Sequence, residues 1–385
     1  MADTLIVGAG QIPVGEHWEL SLRQMAARAA LDAMHEAPGI TPQAIYVGNF
    51  LSPVLSHQAN LGALLAQDMS LEGVEAFTAE AAEASGSAAL HLAHMALQSG
   101  YVDSALVVGV EKITDQIGSR VTSAVAQGLD EDYEGENGLT PAGQAALIMR
   151  QYLLSYGLEG DALAAFPMLA HENAQGNLNA IYRRPIARED YLASRLVSDP
   201  LRLYDCAPYA DGAAALLLVR SDRLNARLDH PRVRVLSSEV ATDRLALHDR
   251  ADVLNFGAAE ESTRLAFERA ALAREEVDFF ELWDEYSVYA ALALEAAGYA
   301  GKGEGWRLAR DGLLGRNGQL PIATMGGLKA RGHPLGASGI YQAVEATLQL
   351  RGEAGDCQVA GARRGLVQSF GGPAATVVTH ILERA

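Results

Sequence analysis

The chain has 385 residues, 49% hydrophobic and 20% charged, with 38 glycines, a composition that excludes a disordered or collagen-like protein and gives room for two or three domains. Its 30 Lys and Arg against 48 Asp and Glu leave a net charge of −18. That charge repels phosphate backbones and anionic bilayers, so neither nucleic acid nor membrane is expected as a partner.

The chain opens on the strand-like run Leu5-Ile6-Val7 and the turn Gly8-Ala9-Gly10, with no charged and apolar leader before it. Residues 20–34 carry Leu, Met and Ala at helical spacing. Residues 45–48 read as a buried strand, 88–97 as a helix and 104–110 as a strand. This alternation predicts an α/β architecture with helices covering sheets. From about residue 130 to 198 the rhythm breaks. An acidic, Gly-containing run over 130–138 reads as a solvated loop. Helical stretches follow at 142–156 and 161–176, and Arg183-Arg184 precede Pro185, so an inserted helical subdomain is predicted. Strand rhythm resumes at 211–219, and 233–237 starts a second half. No apolar run reaches the ~18–20 residues that cross a bilayer. Cys206 and Cys357 make neither a disulfide framework nor a zinc site, and no metal is expected. The reducing cytoplasm is the expected compartment, and Glu383-Arg384-Ala385 carries no peroxisomal signal.

The second half repeats the first. Ala84-Ser85-Gly86 opens an apolar helix, and Ala337-Ser338-Gly339 opens another, each followed by a strand-like segment. The matching context makes the tripeptide repeat a sign of internal duplication.

Several blocks then point one way. They are Val47-Gly48-Asn49-Phe50, Glu80-Ala81-Ala82-Glu83-Ala84-Ser85-Gly86, Val108-Gly109-Val110-Glu111-Lys112, and Asp205-Cys206-Ala207-Pro208 with Asp211-Gly212-Ala213-Ala214. The most specific is Gly326-Gly327-Leu328-Lys329-Ala330-Arg331-Gly332-His333-Pro334-Leu335-Gly336-Ala337-Ser338-Gly339, and Ser369-Phe370-Gly371-Gly372 also fits. In this order they resemble the thiolase superfamily, closest to its sterol-carrier-protein-type and archaeal branch, over essentially the whole chain. The resemblance implies an α/β fold of duplicated βαβαβαββ halves in a five-layered αβαβα arrangement with an inserted helical loop domain. The implied ranges are 1–121 continued by 200–225 for the first half, 122–199 for the loop domain and 226–385 for the second half. It also implies a dimer or tetramer, with a homodimer expected, an active site between the halves, and acyl-CoA as ligand. Coenzyme A would then be part of the substrate, and no separate cofactor is expected.

The resemblance assigns roles residue by residue. Thiolase chemistry uses a cysteine thiolate at a helix N-terminus, with a neighbouring His to take its proton. His333 matches that base. Glu83 stands where the family has the cysteine, and a carboxylate cannot carry an acyl group as a thioester. Trp283 stands at a family His or Asn that helps bind the thioester oxygen, and Ser369 where ordinary thiolases place a second acid/base cysteine. Glu83 at a helix N-terminus is expected to be ionised and to pair with His333 as a general base. Arg183 and Arg184 lie where the family contacts coenzyme A and could hold its phosphates. A solvated charge pair beside Glu189 and Asp190 is the alternative for them. Cys206 and Cys357 are read as non-catalytic.

Two functions remain open on this reading. One is an acyl-CoA enzyme acting on a C–C bond of a 3-oxo- or 3-hydroxyacyl-CoA without a cysteine intermediate, for example by aldol-type cleavage. Some thiolase-like proteins that lack the cysteine do this with a small partner subunit, so a zinc-ribbon/OB-fold partner is a further candidate. The other is a catalytically silent binding or scaffolding subunit. Ordinary acetyl-CoA acyltransferase activity is disfavoured by the three altered positions. Gly8-Ala9-Gly10 lacks the third glycine of a dinucleotide fingerprint, and residues 301–305 lack the Lys-Ser/Thr of a phosphate loop.

Overall fold

A computed structural model describes residues 2–225 and 228–385. The expected boundary at 225–226 touches residues outside this set. The strands are β1 (Thr4–Gln11), β2 (Ala44–Gly48), β3 (Glu75–Ala79), β4 (Ser104–Glu111), β5 (Leu196–Ser198), β6 (Leu201–Arg202), β7 (Gly212–Arg220), β8 (Val233–Thr242), β9 (Phe279–Glu281), β10 (Arg364–Gly371) and β11 (Thr376–Arg384). The first-half helices are α1 (Leu22–His35), α2 (Ser52–Leu55), α3 (Leu61–Asp68) and α4 (Ser85–Gln98). Between β4 and β7 come α5 (Gly118–Val125), α6 (Pro141–Tyr156), α7 (Ala165–Asn173), α8 (Arg188–Ala193) and the β5–β6 hairpin. The second half holds α9 (Gly257–Ala270), α10 (Ser287–Ala296), α11 (Gly305–Arg310) and α12 (Ser338–Arg351). Among the described residues no helix is long and apolar enough to cross a membrane.

The strand order β3-β2-β4-β7-β1-β8-β11-β10-β9 records the duplication. In the first half β1 and β7, and β7 and β4, are antiparallel, while β4, β2 and β3 are parallel. In the second half β8 and β11, and β11 and β10, are antiparallel, and β10 and β9 are parallel. The counterpart of β3 is reduced to one parallel bridge, Phe280 to Ile322. Thr4–Ile6 of β1 pairs with 233–235 of β8, so the two half-sheets join at that seam into one nine-stranded sheet. The first half's β4–β7 connection carries the inserted helices, whereas the equivalent β10–β11 connection is residues 372–375 alone.

α1 covers β1, β7 and β4, and α9 covers β8 and β11. α4 and α12 each pack on strands of both halves and on each other, which makes them the central layer. Their approach depends on glycine. A Cβ at Gly339 would lie 2.4 Å from Ser87 Oγ and 2.7 Å from Ser87 N, and one at Gly86 would lie 2.8 Å from Gly336 O. Gly339→Ala should therefore cost about 1–3 kcal/mol by overpacking, read as a lower denaturation midpoint. An unchanged midpoint would mean the crossing can open without loss. Glu111 ties the halves further: its carboxylate accepts from the backbone N–H of Phe50 and Leu51 in one half and of Gly336 in the other.

A histidine cluster lies under α4. His91 Nδ1 and His380 Nδ1 sit 2.9 and 2.8 Å from Ser238 Oγ. Burial, reinforced by neighbouring imidazoles, lowers His94 to about 4 and His380 to about 3. His91 is lowered by burial and Arg269, which pairs with Glu239 on β8. The unfolded chain titrates such groups near ~6.5 and so binds more protons below that pH. Stability from this cluster is complete above ~6.5 and is lost as pH falls toward the folded values. Denaturant midpoints should drop between pH 6.5 and 4, and His380→Gln should blunt that drop.

The acidic run expected as a solvated loop forms a single π-helical turn at Glu131–Gly135. Glu134 is buried within it and accepts from Gln144 and from the Leu247 N–H, because the turn packs against α6.

Candidate active site

Glu83 is presented by a tight turn. Ala82 has φ 50, a left-handed conformation for a residue with a Cβ. Ser85 Oγ accepts from the Ala81 N–H at 3.0 Å and donates to Ala82 O at 2.5 Å, which fixes the turn. Glu83 thus precedes the N-cap of α4, is 3% exposed, and accepts from the Gly372 N–H at 2.8 Å. The helix terminus and the burial of Glu83 act in opposite directions on its ionisation. Burial pushes the carboxyl up to about 7, with the Gly372 N–H opposing and Glu80 adding to the rise.

His333 is held from the other half. Its N–H donates to Pro208 O at 2.9 Å, and its carbonyl accepts from Ala210 at 3.2 Å. Its Nδ1 is 2.7 Å from Ser338 Oγ, at the start of α12. Its Nε2 is buried and has no hydrogen-bond partner among the described residues. Trp283 stands edge-on to the imidazole at 5.2 Å, and Tyr209 is tilted against it at 5.6 Å. Burial lowers His333 well below its ordinary value, and Arg331 adds to this, so the ring is neutral near pH 7. Ser338 can then donate to Nδ1, which leaves the proton on Nε2.

The sequence places Glu83 within reach of His333, directly or through one water; among the described residues no direct hydrogen bond or ion pair joins the two. The carboxylate nearest Nε2 is Glu285, whose Oε1 is 3.8 Å away. Tyr209 donates to that oxygen at 3.1 Å, and Trp283 Nε1 donates to Oε2 at 3.3 Å. Burial, then the charge of Glu83, pushes Glu285 up to about 8. Glu285 thus stands beside a neutral imidazole in a desolvated site and feels the charge of Glu83. Sequence reasoning missed Glu285. The available signal was a Glu two residues before a largely apolar helix, α10.

Trp283 is fully buried, and its one N–H is taken by Glu285. Ser369 is drawn into the helix crossing instead: its Oγ is 2.7 Å from Ser87 Oγ and donates to Gln342 at 2.8 Å. Cys206 is pushed up to about 12 by burial, and Cys357 is buried and also raised. Among the described residues no cluster of His, Cys, Asp and Glu could hold a metal ion.

Arg183 and Arg184 line a cavity of about 700 Å³ with Tyr182, His171, Tyr204 and Lys329. Neither arginine forms an ion pair among the described residues, and Asp190 instead accepts from the Ala187 N–H. Ala207 and Pro208 also line the cavity and run directly into Tyr209, which bridges to His333. The cavity thus adjoins the buried site from the inserted segment's side.

Two duplicated α/β halves that bring their helix N-termini and loop residues to a shared buried site define the class of this α/β protein. The chain belongs to the thiolase superfamily: residues 4–222 match the thiolase N-terminal domain and 240–384 the thiolase C-terminal domain-like family. It is 39% identical over 386 residues to an acetyl-CoA acetyltransferase of Methanothermobacter thermautotrophicus, covering 100% of both chains. It is 34% identical over 391 residues to the acetyl-CoA acetyltransferase of Methanocaldococcus jannaschii, covering 99% of each. In fold it is similar to the Ltp2-ChsH2(DUF35) aldolase, with TM-score 0.85 and 21% identity over 99% of this chain and 98% of that one.

Proposed function

We propose that the protein binds acyl-CoA and acts on a C–C bond of a 3-oxo- or 3-hydroxyacyl-CoA without a cysteine acyl intermediate, with aldol-type cleavage of a 3-hydroxyacyl-CoA as the best-supported reaction. One observation carries this reading. Where the family resemblance calls for a cysteine, a buried Glu83 carboxyl poised near neutrality shares a site with His333, whose Nε2 is unpartnered. Glu83 as carboxylate takes the proton of the 3-hydroxyl, the C2–C3 bond breaks, and the His333 Nε2–H stabilises the enolate oxygen. Arg183 and Arg184 hold coenzyme A phosphates at the cavity mouth. The names of the relatives fit acyl-CoA as ligand, and that of the structural neighbour fits aldol chemistry. Incubating 3-hydroxyacyl-CoA thioesters with the protein tests this: mass spectrometry should show a shortened acyl-CoA and a carbonyl product.

The burial of Glu83, His333 and Glu285 favours a second reading, a silent scaffolding subunit. Acyl-CoA binding without any product would select it. In either case a second copy has a surface to use: edge strand β3 leaves Phe77 59% exposed, and Leu92 and Met95 are exposed on the neighbouring α4. Light scattering should therefore report twice the monomer mass at micromolar concentration. A small zinc-ribbon/OB-fold subunit remains a proposed partner, and the free cysteines suit the proposed reducing, cytoplasmic setting.

A further inference from the structure

The mechanism above leaves a buried carboxyl beside His333 unused. Glu285 is 3% exposed and fixed at both oxygens, by Tyr209 on one and Trp283 on the other. Its Oε1 faces the unpartnered His333 Nε2 across 3.8 Å, too long for a hydrogen bond and short enough for one reacting atom to contact both groups. The Tyr209 hydroxyl is also 3.3 Å from the Tyr286 hydroxyl, so the carboxyl ends a short chain of donors. Its backbone is pinned as well, because Glu285 O accepts from the Ala207 N–H at 2.7 Å, on the wall of the 700 Å³ cavity.

We propose that Glu285 is the acid of this site, delivering the proton to C2 of the enolate after Glu83 has taken the proton of the 3-hydroxyl. The inference rests on the aldol reading above. The balance is complete. The O–H proton of the substrate goes to Glu83, the C2–C3 electron pair becomes the enolate, C3 becomes a carbonyl, and the Glu285 proton forms the new C2–H bond. Glu83 ends protonated and Glu285 ionised, and passage of one proton between the two carboxyls restores the start. Burial, with the charge of Glu83 beside it, raises the Glu285 carboxyl and so favours its protonated form.

The second half-reaction can be followed by itself. In D2O, acetyl-CoA and propanoyl-CoA should exchange their C2 protons on the wild-type protein, and Glu285→Gln should slow this by ~10²–10⁴. Glu285→Asp should recover part of the rate. In infrared difference spectra Glu285→Gln should remove a protonated-carboxyl band at pH 7, and thermal melts report whether each variant folds. Cleavage that fails while the band and the Glu285-dependent exchange persist would fault the C–C reading and leave this one standing. No exchange on the wild-type protein, exchange unaffected in folded Glu285→Gln, or no band lost would overturn it.

Discussion

Glu83→Gln should leave acyl-CoA binding intact and lower turnover by ~10²–10⁴, the usual contribution of a general base. The substitution keeps the side-chain size and removes only the titrating group. The Gly372 N–H can still donate to the amide oxygen, so the turn at Ala82 should hold. The pH profile sharpens the expectation. A base raised to about 7 must be ionised to act, so wild-type turnover should rise through that pH on the acidic side. In Glu83→Gln that limb should vanish along with the rate. If only the melting temperature changes and turnover is unaffected, Glu83 fills space and the silent-subunit reading gains.

Acetoacetyl-CoA with free coenzyme A should be cleaved no faster than background, although the relatives carry the name acetyl-CoA acetyltransferase. Thiolysis requires a thiolate, and neither cysteine offers one: Cys206 is raised to about 12 and Cys357 is buried. Iodoacetamide should therefore leave any activity unchanged. Glu83→Cys should recover little, because the Trp283 N–H is committed to Glu285 and the Ser369 hydroxyl to Ser87 and Gln342. Full thiolysis from that single change would show that those two residues are not the obstacle. Robust thiolysis by the wild-type protein, lost on alkylation, would overturn the cysteine-free account.

Much of this arrangement is legible in the amino-acid order. The apolar run from Leu5, the alternation that follows it and the repeated Ala-Ser-Gly helices anticipate β1, β4, α4, β10 and α12, because strand and helix periodicities there meet no competing signal. The seam between β1 and β8 is not legible, since pairing between distant strands depends on tertiary packing. Glu134 escapes for a related reason: in an acidic run the one carboxylate that turns inward looks like its exposed neighbours. At the site, motif order brings out Glu83 and His333 but not their separation. Side-chain reach across two halves decides that Glu285, and not Glu83, comes nearest to the imidazole. Ser369, a position carried over from a family, also meets Ser87 at the helix crossing, a contact that its sequence neighbours do not announce.

The dependence of 3-hydroxyacyl-CoA cleavage on added coenzyme A tests the central claim most directly. With purified protein and the thioester alone, shortened acyl-CoA and the carbonyl product should form in equal amounts, and adding free coenzyme A should not raise the rate. Cleavage that begins only when coenzyme A is supplied would mean that a thiol attacks the substrate, and would contradict a Glu83-driven C–C bond reaction.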